Sequence, residues 1–239
     1  MGEFEKLIEN HIELRQLFGK FSAEDISKIQ ITRYPQDVDV IKKEAQQSKY
    51  AYLIVSGICG IFNVLENGEE YCYYKISEND VIGLSELLGE QAISREADIR
   101  TLTDVVALKI AKEDLRIWMM KYPEFYNLLV KNIINRLHGT IRKHIECKKY
   151  TSMANIVSYL LYSYELYRKT HGKHYLGDVK INETREMIGD FISMSIRSVN
   201  YNLEALKKQD YISIRRGKIY INHEQYTQLK GYKEELLME

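Results

Sequence analysis

Apolar and polar positions change their spacing three times along the chain. Up to about Ile110 the rhythm is that of strands. The run "YLIVSGICGIFNVLENGEEYCYYKI" holds two stretches rich in Ile, Val, Phe and Tyr, joined by "ENGEE". Asn67-Gly68 suits a type I′ hairpin turn, in which both central residues take positive φ. Further strands are expected over Val38–Lys42 and Val105–Ile110, and a helix over Phe4–Phe18 ahead of them. Gly57, Gly60, Gly83 and Gly89 read as strand-end residues that permit sharp turns. Several short strands separated by turn signals indicate a small barrel or roll.

The second region reads as one helix from Pro123 to Lys149, opened by a proline whose missing N–H has no intrahelical partner there. Val130, Ile134, Leu137, Ile141 and His144 recur at spacings of 4, 3, 4 and 3, a heptad seam. It can pack on its own copy in a parallel dimer, or on the barrel of the same chain; the helix's length favours the copy. From Thr151 the pattern is helical again. "TSMANIVSYLLYSYELYRK" is an amphipathic helix with a Thr/Ser start, and "YISIRRGKIYINH" is a β-hairpin with Arg215-Arg216-Gly217-Lys218 at its tip.

Between these lies "TREMIGDFISMSIRSVNYNLEALKKQDYI". Thr184 to Phe191 forms one helix with Met187, Ile188 and Phe191 on its apolar face. Ile192-Ser193-Met194 is the turn, and Ser195 caps a second helix whose Val199, Leu203 and Leu206 point inward. Arg197, Ser198, Tyr201 and Asn202 are left facing out, with Lys207 and Lys208 near the end. This is a helix-turn-helix pattern. The major groove admits one helix whose N-terminal residues reach base edges. Arg197 can pair with guanine, Tyr201 can touch a thymine methyl, and Ser195, Ser198 and the helix N-terminus can hold phosphates. Arg215, Arg216 and Lys218 would grip the backbone beside the groove. An isolated pair of this kind would more often be two surface helices with solvated charges. The hairpin after it and the seam before it turn the reading toward DNA.

Composition bounds the rest. The 239 residues are 45% hydrophobic and 28% charged, as in ordinary globular proteins. Apolar runs fall short of the roughly 18 residues of a membrane span, and the charged start "MGEFEKLIENHIEL" lacks the core of a signal peptide, so a cytoplasmic location and no membrane partner are expected. The formal net charge is zero. It is unevenly spread: Glu66 to Asp104 holds ten acidic and three basic residues, whereas Arg197 to Lys233 holds eight basic and three acidic. A local basic patch can bind phosphate on a neutral molecule. Cys59, Cys72 and Cys147 form no C-x-x-C pair and read as reduced thiols. His171 and His174 sit in the connector "KTHGKHYLGD", and no metal site is expected. No nucleophile elbow, P-loop, Rossmann fingerprint or telling His/Cys or carboxylate pair supports an enzyme.

Along nearly its whole length the chain resembles the cyclic-AMP receptor protein / fumarate–nitrate regulator (Crp/Fnr) family of bacterial transcription regulators. "YLIVSGICGIFNVLENGEE" looks like the family's barrel strands, and "ENDVIGLSELLG" is similar to its "GDxIGE" segment. "NIINRLHGTIRKHIECKKYTSMANIVSYLL" is similar to its dimer helix and hinge, and the helix pair to its recognition element. The resemblance implies an α+β fold in three parts. These are a cyclic-nucleotide-binding-like β-roll (jelly-roll) effector domain over 1–120, a dimerisation helix over 121–149 and a winged helix-turn-helix DNA-binding domain over 150–239.

It also implies a homodimer on double-stranded DNA, reading an inverted-repeat operator through Thr184, Arg185, Ser195, Ile196, Arg197, Ser198, Tyr201, Arg215, Arg216 and Lys218. RNA polymerase is a partner if the protein activates. Carried over residue by residue, the effector pocket comprises Gly83, Leu84, Glu86, Arg95, Glu96, Arg136 and Thr140. The family's Gly-Glu ribose pair is Gly83-Leu84 here, its phosphate Arg-Ser pair is Arg95-Glu96, and Ile141 replaces a serine on the helix. A carboxylate beside a cyclic phosphate is repulsive, so cyclic AMP is not the expected effector; a different small molecule, or none, is. The iron–sulfur cysteine cluster of the oxygen-sensing branch has no counterpart before Cys59. The recognition helix carries Ile196, Arg197 and Tyr201 where the family commonly reads with Arg or Val, Glu and Arg, so the operator should differ. Ser193 stands in place of the turn glycine, at a strain of about 1–2 kcal/mol if φ is positive there. The alternative reading is a ligand- or redox-sensing module, acting through protein contacts.

Overall fold

The computed structural model describes residues 2–9, 11–42, 49–64, 70–84, 97–170 and 177–238. Its contacts divide into two units, 1–63 with 75–138, and 64–74 with 139–239.

The first unit opens with α1 (Glu3–Ile8), α2 (Ile12–Phe18) and α3 (Ala23–Ser27). The single helix expected over Phe4–Phe18 is therefore two. His11 leaves helical geometry (φ −109°, ψ 88°), and its Nδ1 lies 2.7 Å from Glu78 Oε1, a distant partner that periodicity does not reveal.

The strands are β1 (Gln30–Tyr34), β2 (Asp39–Ile41), β3 (Tyr50–Ser56), β4 (Cys59–Val64), β5 (Glu70–Ile76), β6 (Val81–Ile82), β7 (Asp98–Thr101) and β8 (Val105–Ala111). They form two four-stranded sheets, β1-β8-β3-β6 and β2-β7-β4-β5, the roll that the alternation predicts. The long apolar run is cut in two at Gly57. Its φ is +92°, and a Cβ there would lie 2.2 Å from the Asp104 carbonyl oxygen, so no side chain fits. Gly60 is not a strand end: it is buried inside β4, opposite Arg100. Asn67-Gly68 and Gly89 lie outside the described residues.

α4 (Lys112–Lys121) and α5 (Pro123–Lys149) follow. The core of this unit joins Leu53, Val55, Leu108 and Ile110 of the sheet to Leu115, Trp118, Phe125 and Leu129 of the helices. Phe21 stacks on Tyr122 at 3.8 Å and meets Trp118 edge-on at 5.2 Å. At the edge of this core the buried carboxylate of Asp25 accepts from Trp118 Nε1 (3.0 Å), Lys121 Nζ (2.7 Å), Tyr122 OH (2.6 Å) and Ser22 Oγ (2.8 Å). Asn132 fixes α5 beside β6: its Oδ1 accepts from Val81 N–H (2.9 Å), and its Nδ2 donates to the carbonyls of Asn79 (3.1 Å) and Leu128 (3.0 Å).

The second unit contains α6 (Ser152–Thr170), β9 (Val179–Ile181), α7 (Arg185–Ile192), α8 (Ile196–Lys208), β10 (Ser213–Arg215), β11 (Lys218–Ile221) and α9 (His223–Met238). The hairpin β10–β11 gains a third strand, β9, in the order β10-β11-β9. Neither β9 nor α9 stands out in the sequence: β9 has three residues, and α9 buries only Leu229. Thr151 caps α6 through its hydroxyl, which accepts from Ala154 N–H at 3.3 Å.

Candidate nucleic-acid interface and effector face

Two hydroxyl caps set the helix pair. Thr184 Oγ1 accepts from Met187 N–H (3.2 Å) to start α7, and Ser195 Oγ accepts from Ser198 N–H (3.2 Å) to start α8, each cap being worth about 1 kcal/mol. Between them Ser193 is left-handed, φ 55° and ψ 48°, as the replaced glycine foreshadows. Its N–H reaches the Asp190 carbonyl (3.3 Å), and Met194 N–H reaches that of Gly189 (2.8 Å), which closes the orphan end of α7. Gly189 is required by contact. A Cβ there would lie 2.5 Å from the Met194 carbonyl oxygen, so only glycine lets the two helices approach this closely.

Val199, Leu203 and Leu206 are fully buried, each contributing about 1.5–3 kcal/mol of burial. Asn202 differs from the expectation. It is 3% exposed, and its Nδ2 donates to Ser198 O (2.7 Å) and to Ser152 Oγ on α6 (3.4 Å). It is one helical turn past Ser198, on the side that meets α6, so it anchors the helix and reads nothing. The outward face is Ile196, Arg197 and Tyr201, the tyrosine 76% exposed. Ser198 is half-buried and accepts from Ser195 Oγ at 3.1 Å.

The wing turns at Arg216-Gly217 with φ of 48° and 77°, positive at both central residues as a type I′ turn requires. Arg185 Nη1 donates to Gly217 O at 2.7 Å and so ties the wing to the start of α7. Arg215 pairs with Asp178 at 2.8 Å and lies 5.1 Å from the Tyr220 ring. Lys218 Nζ donates to Asn182 O at 3.3 Å. Three of the predicted basic residues thus have a partner within the protein, and Arg197, Arg215 and Arg216 are exposed. A cleft of about 400 Å³ runs between Thr184–Glu186, the α8 residues Ile196 and Asn200, and Arg216–Lys218. Asn200 escaped the sequence reading, although its place one turn after Ile196 was a usable signal. The Glu186 carboxyl in this cleft is held below the usual range, first by its own backbone N–H and then by Thr184.

The residues expected at an effector pocket are partly described. Gly83 has φ +84°, and Leu84 packs against the core of the first unit. Arg136 Nη2 donates to Val81 O at 3.0 Å, in the same unit. Thr140 is exposed and borders a cavity of the second unit. Glu86, Arg95 and Glu96 lie outside the described residues, as do the side chains of His144 and Cys147 and the whole of His171 and His174. Cys59 is buried, and desolvation, followed by the nearby Asp80, pushes its thiol up to about 12.

On α5 the seam residues Ile134, Leu137 and Ile141 are 46%, 57% and 49% exposed in the single chain, and Val130 is half-buried. Tyr126, Ile133 and Ile145, not picked out by the heptad count, are exposed on the same stripe.

Residues 32–122 match the family of cyclic nucleotide-binding domains. Solved structures extend the likeness over the chain. The c-di-GMP responsive global regulator CLP of Xanthomonas campestris is 19% identical with a TM-score of 0.64, over 84% of this chain and 99% of that one. A Crp/Fnr-family transcriptional regulator from Thermus thermophilus is 16% identical with a TM-score of 0.67, over 86% and 98%. A Crp/Fnr-family protein from Eubacterium rectale is 16% identical with a TM-score of 0.67, over 91% and 97%. The chain has the fold of the Crp/Fnr regulators, with residues 32–122 similar to a cyclic nucleotide-binding domain. No curated protein matches it. In Crp/Fnr terms β1–β8 is the nucleotide-binding-type roll, α7–α8 the helix-turn-helix, and β9–β11 the wing sheet.

Proposed function

We propose that this chain is a homodimeric, sequence-specific DNA-binding transcription regulator of the Crp/Fnr type, working in the cytoplasm. The observation that carries it is the outward face of α8: Ile196, Arg197 and Tyr201 project beside a wing whose tip is Arg216. Each subunit lays Ser195–Lys208 in one major groove, and successive grooves are about 34 Å apart, so the operator is an inverted repeat. The functional division is an effector domain over 1–120, a dimerisation helix over 121–149 and a DNA-binding domain over 150–239. The exposed apolar stripe of α5 supports self-association.

A small effector other than cyclic AMP, bound at the roll near Gly83, Leu84 and Arg136, shifts the population between two dimer geometries and so resets the spacing of the reading heads. RNA polymerase is the further partner where the protein activates. The test is selection of genomic fragments by the folded dimer at defined salt. Recovery of one inverted repeat supports the reading, and failure to enrich any inverted repeat sinks it.

A further inference from the structure

The second unit holds a cavity of about 610 Å³, all of whose lining residues belong to that unit. Small-molecule sites span about 300–1,000 Å³. One side is aromatic. The rings of Tyr162 on α6 and Phe191 on α7 are 5.9 Å apart and 17° from parallel, and Tyr159 meets Phe191 edge-on at 5.3 Å. Tyr162 is 39% exposed, so part of its ring remains open to an occupant. Tyr159 is buried, and desolvation raises its phenol well above the usual value, which keeps it a neutral hydroxyl. α9 brings Lys230, Lys233 and Glu234 to the same cavity, and α6 brings Glu165, whose Oε1 accepts from Tyr226 OH. The Lys230 ammonium lies 5.6 Å from the Tyr226 ring. Lys233 is half-buried, and among the described residues it has no carboxylate partner.

We infer that this cavity binds a planar aromatic anion, its ring stacked on Tyr162 and Phe191 and its carboxylate on Lys233. A flat π-surface with a cation at its border recognises that class: stacking favours a flat ring, and the ammonium selects the ionised form. The position gives the site a regulatory meaning. Phe191 and Ile192 end α7, immediately before the left-handed Ser193, so an occupant bears on the elbow that orients α8. That meaning rests on the DNA-binding reading above; the binding itself does not.

The experiment is equilibrium dialysis of the full-length protein against 2-naphthoate and its neutral analogue 2-naphthamide, followed by operator titration with and without 2-naphthoate. One saturable naphthoate site per chain is expected. Lys233→Gln should weaken naphthoate at least fivefold and leave naphthamide unchanged, while Tyr162→Ala should weaken both alike. Both substitutions are at solvent-reaching positions, and far-UV circular dichroism verifies that each variant is folded. No saturable binding, or binding indifferent to both substitutions, overturns the site. Operator affinity should change at least threefold with naphthoate in the parent and stay constant in Lys233→Gln; no change in the parent overturns the regulatory role. A protein that selects an operator but binds neither probe refutes the cavity alone. One that binds naphthoate through Lys233 but selects no DNA refutes the DNA-binding reading alone.

Discussion

Leu137→Asp tests the dimer seam. Leu137 is 57% exposed in the single chain, and Ile134 and Ile141, one turn away on either side, are 46% and 49% exposed. Fully burying a leucine is worth about 1.5–3 kcal/mol, so covering its open half is worth about 1 kcal/mol. A two-fold axis doubles that loss. Two carboxylates brought into an apolar seam opposite each other add at least about 2 kcal/mol of desolvation and repulsion. The total of about 4 kcal/mol corresponds to about a thousandfold weaker dimer. Because the side chain is exposed in the monomer, the chain's own fold is spared and its melting temperature at low concentration should hardly move. Sedimentation equilibrium over a concentration series reads the constant directly. Asn135→Asp, exposed on the opposite side of α5, is the control and should leave it unchanged. A Leu137→Asp dimer constant within threefold of the parent refutes the seam.

Ser193→Gly should raise stability by about 0.5–1 kcal/mol in urea unfolding, because relief of about 1–2 kcal/mol of left-handed strain outweighs about 0.5–1 kcal/mol of glycine entropy; a destabilised variant contradicts the turn geometry. Asp25→Asn should lose about 2–3 kcal/mol. Hydrogen bonds from Lys121 first, and then from Tyr122, hold the Asp25 carboxyl well below the usual range. Its contribution is therefore complete above the unfolded value near pH 3.9 and fades as the pH falls below it, so the variant should show a shallower acid limb in pH-dependent melts. Arg216→Ala should weaken all operators alike and flatten the salt slope of the dimer by about 2, one phosphate contact per chain, whereas Arg197→Ala should relax preference at particular bases; identical behaviour of the two variants defeats the division between gripping and reading. Peptide-resolved thiol labelling at neutral pH should leave Cys59 unmodified until the protein is denatured, since burial keeps its thiol protonated.

The roll, the long helix and the helix pair were legible because each is written in local spacing. Pro123 and Lys149 bound α5 as expected, and Thr184 and Ser195 cap where short polar side chains precede apolar periodicity. What escaped is what depends on distant partners. The break at His11 answers to Glu78. β9 is too short to declare itself and exists because β11 offers an edge at Ile219–Ile221. Asn202 reads as outward by its polarity, although it lies only about 40° around the helix from Leu206, and its bond to Ser152 of α6 shows it turned inward.

The same dependence on partners bears on how DNA is recognised. The basic residues also serve the protein itself: Arg185, Arg215 and Lys218 each engage one partner, Gly217, Asp178 and Asn182. These bonds fix the wing against the start of α7. They also leave Glu186 beside the cleft as an anion that phosphate must avoid. On the DNA-binding reading the exposed cations of α8 and the wing are Arg197, Lys207, Lys208, Arg215 and Arg216, and each phosphate they neutralise adds to affinity in proportion. On the same reading, discrimination would fall to Ile196 and Tyr201, by shape and methyl contact, together with Arg197, which can pair with guanine. On that reading a chain of zero net charge keeps its cations local to α8 and the wing, and a dimer would add two half-site contacts into one specific complex.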